Sequence, residues 1–222
     1  LTVHYVDDVT GTPVATATDT VSGQMDDKGN YVVKTPANYT LAKGQSGTVA
    51  YTLTNDGSDD ITVTLTHAID HTTVTTTRTI NYTINGQSGN AKAPKSVTQS
   101  VTWNVSTDEV TKTSVATPQG SYATVQTPAI NGYTADGDVP AGVLDASTGT
   151  PANAKAVTVN YAADNVSLTV HYIDDVTGKE VNSVNVGGKM DEQGTYPVQA
   201  PANYTLASGQ ATSIAYTLTN DN

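Results

Sequence analysis

The sequence contains no cysteine and no phenylalanine, and only one tryptophan and two methionines among its 222 residues. The absence of cysteine excludes a disulfide framework and thiol chemistry. Ten basic residues against 21 acidic ones give a formal net charge of −11, so the clustered Lys and Arg that bind a phosphate backbone are missing and nucleic acid is not an expected partner.

Long apolar runs are also absent, because no stretch approaches the ~20 residues of a membrane-spanning helix. We therefore expect no direct insertion into a membrane. No signal peptide or anchor is visible in the sequence either, and we expect the chain to be a piece of a longer protein.

The chain is rich in Thr and Val, which are β-branched and favour strands. Apolar side chains alternate with polar ones in stretches such as Leu1–Tyr5 and Ile61–Leu65, and this alternation predicts strands with one buried face. The sequence therefore predicts a mainly β protein, α+β at most. Pro36–Ser46 and Pro201–Gln210 are each expected to hold one short helical turn, and Asn85-Gly86 is expected to form a tight hairpin turn.

The most informative pattern is a repeat. LTVHYVDDVTG at Leu1 returns as LTVHYIDDVTG at Leu168, and PANYTLA occurs at both Pro36 and Pro201. Two copies of a short unit therefore flank a different middle segment, and we predict modules at residues 1–55, 56–165 and 166–222. We interpret the middle segment as a longer relative of the short unit, with ITVTLTHAID at Ile61 as the counterpart of LTVHYVDD. Chance similarity in a Thr- and Val-rich chain is the alternative.

Catalytic motifs are missing from the sequence. There is no G-x-S-x-G elbow, no H-E-x-x-H and no Gly-rich phosphate loop after a strand. We therefore predict that the chain is not an enzyme and needs no cofactor.

Paired acidic residues recur at predicted turns and form a candidate calcium site. Calcium takes six to eight oxygen ligands, and two such turns brought together would supply several of them. The alternative is turn chemistry, in which Asp side chains hydrogen-bond their own backbone. The candidate residues are Asp7, Asp8, Asp26, Asp27, Asp174, Asp175 and Asp191. A second metal hypothesis joins His67, Asp70 and His71, and it requires one straight strand through these positions.

Tyr39 and Tyr204 occupy the same place in the two Pro-Ala-Asn-Tyr loops and are the candidate ligand-binding residues. A tyrosine has an apolar ring and a polar tip, so it suits stacking on a sugar or anchoring an interface. It is equally suited to filling the end of a small core. Both interpretations stay open at the level of the sequence.

Three features of the sequence resemble the mucus-binding (Mub, MucBP-type) repeats of Lactobacillus-like surface adhesins. They are the phrase LTVHYVDDVTG, the G-x-Y-x-V-x-x-P-x-x-Y-x-L spacing in Gly194–Leu206, and the order of DDITVTLTHAI, TRTINY and QSVTWN in the middle segment. That family alternates a short B1 module with a longer B2 module, which matches a B1-B2-B1 order here. The resemblance implies tandem β-grasp (ubiquitin-like) modules in an elongated, monomeric rod. It also implies an extracellular, cell-wall-attached location on a Gram-positive bacterium, with an anchor outside this sequence.

The function implied by the resemblance is binding to host mucus, with mucin glycans as partners. Weak contacts gain avidity when many modules are linked in one chain, which would explain the repetition. One alternative is the binding of immunoglobulin or another protein through an exposed strand edge. Another is a spacer that extends a distal adhesive tip.

Overall fold

The structure is a computed structural model. It describes residues 1–220, and of Thr16 the backbone only. Within these residues the chain forms strands, turns and loops and no helix, so the prediction of a mainly β protein is confirmed. The described part of the chain accordingly offers no helix that could cross a bilayer.

Sixteen strands are found in residues 1–220. In chain order they are β1 Thr2–Asp7, β2 Pro13–Thr20, β3 Lys28–Val32, β4 Tyr39–Leu41, β5 Thr48–Thr52, β6 Ile61–His67, β7 Ile69–Ile84, β8 Val97–Asp108, β9 Ser114–Pro118, β10 Tyr133–Ala135, β11 Ser147–Thr148, β12 Val157–Ala163, β13 Asn165–Ile173, β14 Glu180–Lys189, β15 Gln193–Pro197 and β16 Ser213–Thr217.

The predicted helical turns at Pro36–Ser46 and Pro201–Gln210 are wrong. The first stretch holds the short strand β4 between two tight turns, and Asn38 and Gly44 in these turns have φ of 69° and 90°. The second stretch contains turns at the same places, with φ of 68° at Asn203 and 83° at Gly209. A left-handed backbone at these points reverses the chain, so a helical turn cannot propagate.

The chain packs into two compact units. The first comprises residues 1–76, 101–120 and 144–152, and the second comprises residues 77–100, 121–143 and the chain from Asn153 onward. The three predicted modules and their β-grasp folds stay predictions.

The first unit contains the strand order β2-β1-β6-β4. Strand β1 is antiparallel to β2 and parallel to β6, and β6 is antiparallel to β4. The core forms where alternate residues of β1 and β6 face inward, with Val3, Tyr5, Val63 and Leu65 all buried. Strands β3 and β5 form an antiparallel pair, and β9 pairs antiparallel with both β8 and β11.

The second unit repeats this arrangement of three strands. Strand β12 is parallel to the end of β7, with Val157 opposite Ile80, and antiparallel to β10, with Ala163 opposite Tyr133. Strand β13 pairs antiparallel with β14, and β15 pairs antiparallel with β16. Strand β12 therefore holds the place between β7 and β10 that β6 holds between β1 and β4.

This equivalence corrects one interpretation of the sequence. The alternation in Ile61–Asp70 suggests a counterpart of the first strand of the short unit, but Ile61–His67 pairs parallel with that first strand instead. The apolar alternation is the same in both strands, and alternation alone does not distinguish a central strand from its parallel neighbour.

The turn at Asn85-Gly86 is confirmed. Both residues have positive φ, 49° and 76°, and the backbones of Ile84 and Gln87 exchange hydrogen bonds of 3.0 and 2.9 Å. Two central residues with positive φ are typical of the type I′ turn.

Candidate functional site

A buried histidine lies between two carboxylates in the first unit. His67, the last residue of β6, places Nδ1 2.6 Å from Asp108 Oδ2 and Nε2 2.9 Å from Asp7 Oδ2. The side chains of His67 and Asp7 are buried, and that of Asp108 is partly exposed. An imidazole with an acceptor at both nitrogens is held in its doubly protonated, charged form.

The cluster shifts the pKa of all three groups. Hydrogen bonds to Asp108 and then Asp7 raise the pKa of His67, against an opposing effect of burial. The pKa of Asp108 is lowered, chiefly by its hydrogen bond from His67. Burial raises the pKa of Asp7, but the hydrogen bonds from His67 and from the backbone N–H of Val9 outweigh it, so the net shift is downward. The cluster therefore stabilises the charged form of each member.

Tyr39 packs against this histidine. Strand β4 places Tyr39 opposite His67 in the register of the sheet, and the two rings meet edge to face with centroids 5.6 Å apart at 82°. Tyr39 is therefore half-buried at the end of the core of the first unit.

Tyr204, its copy in the second unit, borders an open groove. The groove has a volume of about 160 Å³ and lies between the end of β13 and the chain from Val198 to Ala207, with Ile214 at one side. Tyr204 is 45% exposed, Ile173 is 55% exposed and Ile214 is 41% exposed. The structure thus gives the two candidate tyrosines different surroundings although their local sequences are identical.

The copies of the groove residues in the first unit are covered. Val3 and Tyr5 are buried, whereas Val170 and Tyr172 are partly exposed. Ala42 is buried and its copy Ala207 is exposed. The covering element in the first unit is β6, whose residues Ile61, Val63 and Leu65 belong to the same buried cluster as Val3 and Tyr5.

Asp7 and Asp174, two of the candidate calcium ligands, serve the same turn in the two copies. Asp7 Oδ1 accepts hydrogen bonds from the backbone N–H groups of Val9 at 2.8 Å and Thr10 at 3.4 Å. Asp174 Oδ1 accepts from Val176 at 2.9 Å and Thr177 at 3.3 Å. These contacts are the turn chemistry that is the alternative to calcium.

The other acidic candidates have separate partners. Asp27 Oδ2 accepts from the backbone N–H of Gln24 at 2.7 Å, and Asp26 lies beside it with a φ of 68°. Asp191 pairs with Lys92 and accepts a hydrogen bond of 2.6 Å from Tyr133 Oη. Asp8 contacts Leu65 through its backbone at 2.8 Å, and Asp175 borders the groove.

Across residues 1–220, no three His, Cys, Asp or Glu side chains are placed to hold a metal ion together. Calcium binding stays a prediction. The hypothesis that joins His67 to His71 is wrong, because Ala68 separates β6 from β7 and the two histidines do not share a face. His67 is buried, whereas His71 is exposed and lies 3.0 Å from Ser106 Oγ.

Two residues with several buried or charged contacts, Asp108 and Arg78, are not among the site residues predicted from the sequence. Asp108 begins Asp-Glu-Val-Thr-Lys-Thr, which repeats the Asp-Asp-Val-Thr-Gly-Thr that begins at Asp7, and the two turns share the same hydrogen bonds to positions two and three. That recurrence is the sequence signal that identifies Asp108 as the start of an equivalent turn.

Arg78 is the single arginine of the sequence, and its side chain is buried. The guanidinium donates hydrogen bonds to Gln99 Oε1, Pro140 O and Ala123 O. It also lies 5.1 Å from the ring centroid of Tyr122.

Comparison with protein families identifies the middle of the chain. Residues 66–165 match the family model described as Muc B2-like domain. These residues are therefore similar to Muc B2-like domains, and the resemblance to mucus-binding repeats is confirmed. No curated protein matches the chain significantly.

Several solved structures are similar in sequence. Mub-RV is 25% identical, over 73% of this chain and 97% of that one, with a TM-score of 0.32. A type 2 repeat of the mucus binding protein MUB from Lactobacillus reuteri is 19% identical over 73% and 98%, with a TM-score of 0.34. The MucBP domain of an adhesion protein from Pediococcus pentosaceus is 25% identical over 41% and 99%, with a TM-score of 0.30.

Proposed function

We propose that this chain is a non-enzymatic segment of a bacterial surface adhesin that binds host mucus, with mucin glycans as the ligand. The observation that carries the proposal is the match of residues 66–165 to the Muc B2-like family. The repeated short unit supports it as well, because weak sugar contacts gain avidity when they are linked in one chain. An extracellular location attached to the cell wall, on a monomeric rod, belongs to the same proposal.

Tyr39 and Tyr204 are the ligand contacts that the sequence predicts, and they differ in accessibility. Tyr39 is half-buried against His67, whereas Tyr204 is 45% exposed beside the groove. A sugar can therefore stack on Tyr204 without any rearrangement. Tyr204 is the contact we assign to glycans within this proposal.

Surface plasmon resonance on purified mucin, before and after enzymatic deglycosylation, tests the proposal. Binding that disappears on deglycosylation and is inhibited by free sugars would support glycan recognition. Equal binding to the stripped protein would contradict it and favour recognition of a polypeptide, immunoglobulin included. No binding to either surface would favour a spacer. Loss of binding in EDTA would support calcium at the acidic turns.

A further inference from the structure

Asp164 is the single residue between β12 and β13, and its backbone is held on both sides. Its N–H donates a hydrogen bond of 3.0 Å to Gly132 O, and its carbonyl oxygen accepts one of 2.9 Å from Met190 N–H. Its side chain accepts a further hydrogen bond of 2.6 Å from Thr134 Oγ1. The linker residue is therefore bonded both to the chain before it and to the chain after it.

The same connection occurs in the first unit. Ala68 is the single residue between β6 and β7. Its N–H donates to Asn38 O at 2.9 Å, and its carbonyl oxygen accepts from Glu109 N–H at 2.9 Å. Asn38 and Gly132 lie directly before β4 and β10, and both have a left-handed backbone, with φ of 69° and 78°. Because the connection is built twice with the same bonds, it is a feature of the fold rather than of one loop.

Met190 packs on the sheet that the linker leaves. Its side chain contacts the buried cluster that contains Tyr133 and Ala163. A Cβ added at Gly132 would lie only 2.6 Å from Met190 Cγ and Sδ. Glycine is therefore required at position 132 twice, for its positive φ and for the close approach of Met190.

Asp191, the next residue, adds polar contacts to the same place. Its carboxylate pairs with Lys92 and accepts a hydrogen bond of 2.6 Å from Tyr133 Oη, and Lys92 Nζ lies 5.9 Å from the centroid of the Tyr133 ring. The side-chain amides of Asn131 and Asn220 exchange hydrogen bonds of 3.0 and 2.5 Å. Backbone, apolar and polar contacts together thus join the chain after β12 to the sheet before it.

These contacts matter because small segments are weak alone. A segment of about 60 residues buries only ~60% of the surface that its unfolded chain exposes, so its own core leaves it marginally stable. The chain after β12 is a segment of about that size. Contacts that it makes with the preceding sheet therefore contribute a large share of its stability.

We propose that a locking joint at the end of β12 holds the following chain folded on the sheet of β7, β10 and β12. Its members are Gly132, Tyr133 and Lys92 before the linker residue, and Met190 and Asp191 after it. Gly132 and Lys92 are positioning residues, since they act on β13 to β16 through the two residues that they contact. The joint goes beyond the proposed function, because it requires no mucin.

Amide hydrogen exchange of the whole chain, measured strand by strand, tests the joint. Gly132→Ala should speed exchange in β13 to β16 at least ~10-fold, because it strains a left-handed position and displaces Met190 from the sheet. Gly86→Ala is the matched control. It strains a left-handed position of φ 76° in the same unit, with nothing within 4 Å of the added Cβ. Exchange in β13 to β16 should then change less than ~2-fold, because these strands open by leaving the joint while the sheet stays folded.

A double-mutant cycle tests the polar part of the joint on exposed side chains that the fold tolerates. Lys92→Ala and Asp191→Asn should each speed exchange in β15 and β16 by ~2–5-fold, and the double variant should do no more than the larger single effect. Asparagine suits the φ of 65° at position 191. Lys95→Ala removes another exposed lysine of the same loop and should leave exchange in these strands unchanged.

Three results would overturn the proposal. Equal effects of Gly132→Ala and Gly86→Ala on β13 to β16 would mean that these strands unfold only with the whole unit. Exchange that neither glycine variant changes would mean that they fold independently of the preceding sheet. Additive effects of Lys92→Ala and Asp191→Asn would mean that the ion pair does not couple the two parts of the chain. None of these experiments measures mucin binding, so the joint and the proposed function can fail separately.

Discussion

At the scale of single residues, His67 joins three stretches of chain that are far apart in sequence. Its two carboxylate partners come from the end of β1 and the end of β8. A buried ion pair is not in itself a large source of stability, but removal of one partner leaves a buried charge uncompensated. The cluster therefore makes His67 a sensitive position.

We expect His67→Gln to lower the free energy of unfolding by about 3 kcal/mol near pH 6, because it leaves Asp7 buried without a cationic partner. Urea unfolding followed by the fluorescence of Trp103 would measure the effect in the first unit. His4→Gln is the control, since His4 is exposed and contacts Asp60 at 3.4 Å, and an effect as large as that of His67→Gln would contradict the prediction.

The effect of His67→Gln should depend on pH. The pKa of His67 is raised from 6.5, so its contribution is fully present below pH 6.5 and is lost as the pH rises through the folded value. The pKa values of Asp7 and Asp108 are lowered from 3.8, so their contribution is present above pH 3.8 and is lost as the pH falls through the folded values.

The stability difference between the native chain and His67→Gln should therefore be largest between about pH 4 and 6.5 and should shrink toward pH 9. Urea titrations at several pH values would follow it. A difference that is constant over this range would show that His67 stabilises the first unit by packing alone.

At the scale of elements, the Pro-Ala-Asn-Tyr loop shows how one sequence behaves in two settings. In the first unit it leads into β4, which pairs with β6. In the second unit the same residues form turns beside the groove. The two loops differ because β6 pairs with β4 in the first unit, and a three-residue strand is not stable without such a partner.

This pair of loops gives a matched comparison of stability. We expect Tyr39→Ala to lower the free energy of unfolding by ~1–3 kcal/mol, because Tyr39 packs on His67 at the edge of the core. Tyr204→Ala should change it by less than ~0.5 kcal/mol, as is usual for an exposed side chain. Thermal unfolding of both variants would measure the difference, and equal losses would contradict it.

The turn after β7 is a second element that can be tested. Gly86 has a φ of 76° and nothing within 4 Å of an added Cβ, so Gly86→Ala should cost ~1–2 kcal/mol through backbone strain alone. Gly120→Ala is the control, because that glycine also has open space but no positive φ. Urea unfolding of the two variants should separate them, and a neutral Gly86→Ala would mean that the turn relaxes.

At the scale of the whole molecule, the net charge determines how the chain interacts with a charged partner at long range. The formal charge of −11 has the same sign as that of an anionic mucin, so long-range attraction cannot steer the two together. Under the proposed function, contact with mucin would therefore depend on short-range hydrogen bonding, stacking or a bridging cation, because the interaction of exposed charges is screened beyond ~8 Å at physiological salt.

Under the proposed function, mucin binding should therefore strengthen as salt is raised from about 0.03 to 0.3 M, because the repulsion is screened. Surface plasmon resonance at constant pH would measure it. A neutral polysaccharide ligand serves as the control and should show little dependence on salt. Binding that weakens with salt would instead reveal attractive charge pairs and contradict the prediction.

The sequence by itself determined the class of fold and the repeat. Alternating Thr and Val indicated strands, and the recurrence of Asp-Asp-Val-Thr-Gly indicated equivalent turns, whereas the helical turns expected in the two Pro-Ala-Asn-Tyr stretches were wrong. The structure places the same left-handed residues in both copies, with Asp26 matched by Asp191 and Asn38 by Asn203. Turn chemistry depends on a few adjacent residues, so it can be predicted from local sequence.

Only the tertiary structure decided which strands are neighbours and which side chains they cover. Ile61–His67 looks like a first strand by its alternation, yet it closes the sheet of the first unit in parallel with β1. Tyr39 and Tyr204 have the same local sequence but different exposure. His67 forms hydrogen bonds with Asp7 and Asp108, which are 60 and 41 residues away in the sequence. Strand partners and burial depend on contacts between distant residues, and a periodic local pattern carries no information about them.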